Sequence, residues 1–158
     1  FVDGTKSQKI IDAVGAGPLE GMLGTAPGSA ESDSLARFNE AFQAAHGRTT
    51  NLPFISNTYD AVIVLGLAAY KAQLDGQGLS GAAIRDALRQ VSNPPGETVI
   101  AGAEGIRRAV ELLKEGKDIN YEGAAGSVDF DENGDVVTPI EVWKYEGGTM
   151  KTVRLESP

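Results

Sequence analysis

Apolar side chains recur every three or four residues over five stretches of the chain, and the repeat drops to two near its end. Ile10, Ile11 and Val14 fall on one face of a short helix predicted over 7–14, with Gly15 as its stop. An extended segment is predicted at 21–25. Residues 27–34 read as a loop whose Ser and Asp side chains can cap a helix, and Leu35, Phe38, Phe42 and Ala45 then keep helical spacing until His46-Gly47. A polar connector at 47–53 leads to a helix expected to start at Asn57 or Thr58, where a side-chain oxygen can cap it, and to run to about Gln73. Apolar residues lie on nearly every side of that helix, which predicts a central position. Ser80 caps the next one, with Ala83, Ile84, Ala87, Leu88 and Val91 as its buried stripe, and Pro94-Pro95-Gly96 ends it. Over 104–115, Ile106, Val110 and Leu113 point inward while Arg107, Arg108, Glu111 and Lys114 point outward. From Gly126 the period-two segments 127–130, 135–145 and 150–155 read as strands, joined at Asn133-Gly134 and Gly147-Gly148. Helices first and strands last predict an incomplete α/β unit, because these helices need more sheet to cover than the strands supply.

The stretch GSVDFDENGDVV holds two readings. A calcium loop wants oxygen ligands at positions 1, 3 and 5, Gly at 6 and a bidentate Glu at 12. Asp129, Asp131, Asn133 and Gly134 fill the first four slots, but the last is Ile140, and Glu141 is one residue out of phase. Flanking period-two and β-branched residues belong to strands, and Asn-Gly tolerates the positive φ of a hairpin turn. The turn is favoured, with Asp129, Asp131, Glu132 and Asp135 solvated at its tip and their acidities near normal.

Composition narrows the field. At 158 residues the chain suffices for one packed domain or for a large piece of a bigger protein. Phe1-Val2-Asp3-Gly4 has neither an initiator Met nor a leader and reads as the tail of a strand at a fragment boundary. No apolar run is long enough for a transmembrane helix. A net charge of −8, with 14 Lys and Arg scattered without a patch, argues against nucleic acid as a partner. Absence of Cys excludes thiol catalysis, zinc-thiolate sites and disulfides and leaves the compartment open.

Enzyme motifs are weak. Gly76-Gln77-Gly78-Leu79-Ser80-Gly81 matches G-x-G-x-x-G, yet it follows a helix, so its amides are not presented at a strand end as a pyrophosphate requires. The single His, His46, lies at a helix end without a G-x-S-x-G elbow anywhere. No catalytic residue, metal site or cofactor is therefore expected. Two aromatics stand out instead: Phe54, after Pro53, and Tyr59 lie where a loop enters a helix N-terminus, a place for a carboxylate ligand against an apolar wall, although both rings also suit the core. Asp3 is a third candidate, an acid at a strand end that can receive an ammonium group or simply be solvated.

FVDGTKS, LEGMLGTAPGS, NTYDAVIVLGLAAYKA, LSGAAIRDALRQV and INYEGAAGSVDFDENGDVVTPIEVWKY follow in order through nearly the whole chain. In this order they resemble the C-terminal half of the branched-chain type of periplasmic amino-acid-binding proteins, the receptors of ABC importers. Tyr59-Asp60-Ala61 opening an apolar helix and the late hairpin at 126–135 are the most telling pieces. The resemblance implies a partial type I, Venus-flytrap fold, three-layer αβα, without its N-terminal half. Residues 1–24 would then end the second lobe, 25–138 complete the first, and 139–158 return to the second, with hinge strands near 22–25 and 138–142. It also implies a secreted or periplasmic location, with or without a lipid anchor, and a membrane permease as partner. Ligand contacts matching the family would be Asp3 for the ammonium, Phe54 for the aromatic wall and Tyr59 beside it. The alternative is a sensing domain that uses the same clamp. With part of the sheet missing, apolar faces on the helix near Tyr59 lack cover, so the fragment is expected to self-associate.

Overall fold

The computed structural model describes residues 1–49 and 52–157. Its helices are α1 (Gln8–Val14), α2 (Asp33–His46), α3 (Ile55–Leu74), α4 (Gly81–Ser92) and α5 (Ala103–Lys114). Its strands are β1 (Leu23–Pro27), β2 (Glu97–Ile100), β3 (Ile119–Glu122), β4 (Ile140–Glu146) and β5 (Thr149–Glu156). Two 3-10 turns flank α1, at Asp3–Thr5 and Gly17–Leu19. Side-chain caps fix three helix starts: Ser7 Oγ accepts from Lys9 N, Ser32 Oγ from Leu35 N, and Ser80 Oγ from Ala83 N. The central helix departs from expectation. It begins at Ile55 and not near Asn57, and Phe54 precedes it with no side-chain cap at all.

Two sheets organise the chain. In the first, β1, β4 and β5 lie in the order β1-β4-β5, both pairs antiparallel, from Leu23↔Lys144 to Pro27↔Ile140 and from Ile140↔Glu156 to Glu146↔Thr149. Glu141, Trp143 and Tyr145 alternate onto its buried face, where Ile11, Leu19 and Ala26 pack with the two aromatics. Gly24 is there because of Trp143: a Cβ at residue 24 would stand 2.4 Å from Cζ2 of the indole.

The second sheet corrects the sequence-based expectation. Strands at 97–100 and 119–122 were not read from the pattern, yet they pair in parallel, Glu97↔Ile119 to Ile100↔Glu122. Each is four residues long with only one or two fully buried positions, too short to show a period. The crossover between them is α5, as a parallel pair requires. Val64, Leu67, Ala68, Val91, Leu112 and Ile119 are central to the core joining α3, α4 and α5 to these strands.

Strand 135–145 is also shorter than expected. The hairpin before it carries the single bridge Phe130↔Val136, a second isolated bridge, Glu122↔Ser127, closes the turn after β3, and β4 starts at Ile140. Its tip is a tight turn in which Asp131 Oδ1 accepts from Asn133 N and Asp135 N, both at 2.8 Å, while Gly134 takes φ 90. Asn93 holds the base of this hairpin, donating to Phe130 O at 2.8 Å and accepting from Phe130 N at 3.0 Å. Among the described residues, no helix is long and apolar enough to cross a membrane.

Candidate functional site

The chain passes between the two sheets twice, and the two crossings lie side by side. Pro27 ends β1 opposite Ile140, and one residue on, Gly28 N donates to Pro139 O at 2.8 Å. The approach is close enough that a Cβ on Gly28 would be 2.7 Å from Leu155 and 3.2 Å from Glu141 N. Paired, short crossings of this kind let two bodies rotate about a shared line with few backbone angles changing.

Beside the crossings opens a cleft of about 440 Å³. One wall comes from the first sheet and the 3-10 turn before α1, with Lys6, Glu141, Thr152 and Leu155; the other comes from α2 and the entry to α3, with Leu35, Phe38, Phe54 and Asn57. Ser29, just after the crossing, and Ser56, in the first turn of α3, share a hydrogen bond of 3.0 Å across it. A concave site with apolar walls and a few convergent polar groups is what small-molecule binding needs.

Phe54 stands at this cleft with 46% of its surface exposed and a left-handed backbone, φ 69 and ψ −2. That conformation costs a bulky L-residue about 1–2 kcal/mol, and strain of this kind collects at binding sites. Asp3 opens the first 3-10 turn, its Oδ1 accepting from Gly4 N at 2.6 Å. It borders a smaller cleft of about 350 Å³ with Thr25, Thr138 and Ile140, and Pro27 forms part of the wall of both clefts. Tyr59 lies behind the larger cleft. Its ring packs on Phe38 at a centroid distance of 5.0 Å, and its hydroxyl accepts from Gly102 N at 3.0 Å. Asp3 and Phe54 thus occupy neighbouring clefts, and Tyr59 braces the wall that carries Phe54.

Three polar groups were missed by pattern reasoning. Glu141 is 6% exposed, accepts the Lys6 ammonium on Oε2 and takes a hydrogen bond from Thr152 Oγ1 at 2.6 Å. A signal was present: Glu141 is in phase with Trp143 and Tyr145, so a charge stands on the inward face of a strand. Asp60 is a parallel case, in phase with Val64 and Leu67 on α3 and 3% exposed. Its carboxylate accepts from Tyr121 Oη at 2.9 Å, Ala124 N at 2.8 Å and Ala125 N at 2.7 Å. Burial pushes this carboxyl above its ordinary range against the pull of those donors, and burial together with the Asp60 charge raises the Tyr121 phenol. Ser34 adds a second tie, donating to Glu122 O and accepting from Ala101 N, both at 2.8 Å, so that α2 is fastened to the ends of β2 and β3.

Other candidates fall elsewhere. His46 closes α2 on the exposed surface with its ring 4.5 Å from that of Phe42. Gly76 and Gly78 form the turn between α3 and α4, both at positive φ, so the motif links two helices and does not follow a strand. Among the described residues, no three His, Asp or Glu side chains converge as a metal site would require.

Comparison with known proteins gives three findings. The profile of the receptor family ligand binding region matches residues 3–148. The chemotactic signal transduction system substrate-binding protein BasB of Halobacterium salinarum is 36% identical over 78 residues, covering 49% of this chain and 17% of that protein. Among solved structures, the leucine binding protein LivK of Thermotoga maritima superposes with a TM-score of 0.67 at 20% identity, covering 99% of this chain and 36% of that one. The branched-chain amino acid transporter substrate binding protein LivJ of Streptococcus pneumoniae, in complex with isoleucine, gives 0.60 at 16% identity with the same coverages. At such identities the likeness is one of fold, an α/β part of the type I periplasmic binding architecture. The chain spans roughly a third of the length of these solved chains, 36% in each.

Proposed function

Because this chain belongs to the receptor family of ligand-binding regions, we propose that it helps to hold a small solute, an amino acid or a related molecule, in the cleft beside the paired crossings. Closure about those crossings brings both walls onto the ligand. Contacts to both walls exist only in the closed state, and this difference in affinity shifts the population toward it. No bond is made or broken. The observation that carries the reading is the cleft itself, with the first sheet on one side, α2 and the entry to α3 on the other, and two adjacent backbone passages beside it.

Within this proposal residues 1–24 and 139–158 form one lobe with the hinge, and 25–138 form the other. Phe54 supplies the aromatic wall, Asp3 receives an ammonium group at the neighbouring cleft, and Tyr59 keeps α3 in register behind them. The partner is the permease of an ABC importer, met outside the cytoplasmic membrane, in keeping with what LivJ is named for. A second reading, the same clamp serving as a sensor, is favoured by the name of BasB, which belongs to a chemotactic system. Self-association is part of the proposal as well, since Val62 and Leu65 leave an apolar face of α3 63% and 52% exposed.

The test is a thermal-shift screen of the full encoded polypeptide against amino acids, small aromatic acids, calcium and a chelator. A ligand at 1,000 times its dissociation constant adds about 4 kcal/mol, a rise of several degrees in melting temperature. Stabilisation by one amino-acid class with indifference to calcium supports the clamp. A calcium response without any solute response overturns it and returns attention to the turn at Asp129 as a metal site. Sensor and importer separate by whether the loaded protein stimulates an importer's ATPase or binds a signalling receptor.

A further inference from the structure

The 3-10 turn Asp3–Thr5 is three residues long, and its own backbone bonds are few: Thr5 N donates to Val2 O at 3.0 Å and Lys6 N to Asp3 O at 2.9 Å. So short a run does not keep its shape unaided. Its other ties come from the first sheet. Thr25 N, on β1, donates to Phe1 O at 3.3 Å just before the turn. Two inward side chains of β4 reach the turn's far end, where Tyr145 Oη donates to Thr5 O and Glu141 accepts the Lys6 ammonium. The Asp3 side chain follows the backbone of the turn, because its Oδ1 accepts from Gly4 N at 2.6 Å. Where this carboxylate stands at the smaller cleft is therefore decided by β4.

Tyr145 is the informative tie. It is 2% exposed, with its ring edge-on to Trp143 at 5.0 Å and to Phe1 at 5.9 Å, in a cluster completed by Ile11, Leu19 and Ala26. A phenyl ring would fill that cluster equally well, and a buried hydroxyl is a cost until it finds an acceptor. The hydroxyl therefore adds placement more than packing. Burial raises its acidity constant, which keeps the proton on Oη for donation. Tyr145 lines neither cleft.

We propose that Tyr145 is a positioning residue for solute binding: through Thr5 O it fixes the turn that carries Asp3, and so sets where the Asp3 carboxylate meets the bound solute. The proposal rests on the clamp reading with Asp3 at the ligand, and adds to it a residue that touches no ligand. Charge-assisted hydrogen bonds depend steeply on distance and angle, so a turn that drifts loses much of what Asp3 contributes.

Isothermal titration calorimetry with leucine and with phenylalanine, on the full encoded polypeptide in four forms, tests it. The forms are native, Tyr145→Phe, Asp3→Asn and the double variant. Tyr145→Phe keeps the ring and loses only the tie, and thermal melting of each form verifies that it is folded. It should weaken binding by about five-fold or more, as residues that act through one another do. On the Asp3→Asn background the same change should cost less than about two-fold, because no carboxylate is left to place. A hydroxyl that merely stabilises the fold lowers the melting temperature and changes binding by the same factor with or without Asp3, or not at all. Either of these results, or an Asp3→Asn variant that binds like the native protein, overturns the proposal and leaves the clamp standing. Binding of neither amino acid by the native protein counts against both.

Discussion

Asp60→Ala is expected to remove a large share of the stability of the chain, for a reason that can be followed atom by atom. Three donors converge on this carboxylate, the amides of Ala124 and Ala125 at 2.8 and 2.7 Å and the Tyr121 hydroxyl at 2.9 Å. Gly123 leaves room for it, since a Cβ there would stand 2.5 Å from Oδ2. Alanine offers no acceptor, and each buried donor left unmet costs about 1–3 kcal/mol. The sum is offset in part because the desolvated carboxylate disappears as well, so a net loss of about 2–4 kcal/mol is expected, against roughly 5–15 kcal/mol for a whole domain. In melting temperature this is about 4–16 °C. Urea unfolding followed by circular dichroism measures it, with Asp60→Asn as the companion variant that keeps one acceptor but turns an amide group toward a backbone N–H. Its loss should be intermediate. A cost below about 0.5 kcal/mol for Asp60→Ala, within the range of ordinary surface changes, would refute the assignment of Asp60 as the anchor of the loop after β3. The pH dependence provides a second check. Burial raises this carboxyl above its ordinary value of 3.8, so its contribution is fully present below the unfolded pKa and declines as pH rises through the folded one. Relative to Asp60→Asn, the native chain should therefore lose ground on going from about pH 4 toward neutrality.

Gly105→Ala should be destabilising by about 1–3 kcal/mol, because its Cβ would lie 1.9 Å from Ile100 O and push α5 off β2. Gly81→Ala, in the first turn of α4 with nothing within 4 Å, is the control and should be neutral or mildly stabilising in the same unfolding assay. Backbone amides, chiefly that of Asp135, hold the Asp131 carboxyl below its ordinary range, so its part in the turn is present above the unfolded pKa and is lost as pH falls through the lower folded value. Amide shifts of Asn133 and Asp135 should consequently move only in strong acid; a midpoint near pH 4 or above, the ordinary carboxylate range, would show the carboxylate to be free. Light scattering of the 158-residue chain should report association that Val62→Glu with Leu65→Glu abolishes; a monomer at high concentration removes that proposal.

Local periodicity and end signals alone determined much of this molecule. Ile10, Ile11 and Val14 with Gly15, the Ser80 cap, and the glycine pair at 147–148 act within a few residues of themselves, and the helices and the β4–β5 turn they announce stand where expected. The family likeness was legible too, because it lies in the order of such local pieces. Strands β2 and β3 were not legible: four residues carry no period, and they become a sheet only when α5 returns the chain alongside itself. The start of α3 was misjudged because a capping side chain at Asn57 was expected, whereas the helix begins after a left-handed Phe54. Phe54 and Asp3 could be nominated from their neighbours in sequence. Pairing Lys6 with Glu141, 135 positions away, or Asp60 with the loop 64 and 65 positions on, could not. A charge on an inward position warns that a partner exists, but which one is decided only when tertiary packing brings distant segments within hydrogen-bond reach and excludes the water that would otherwise have served.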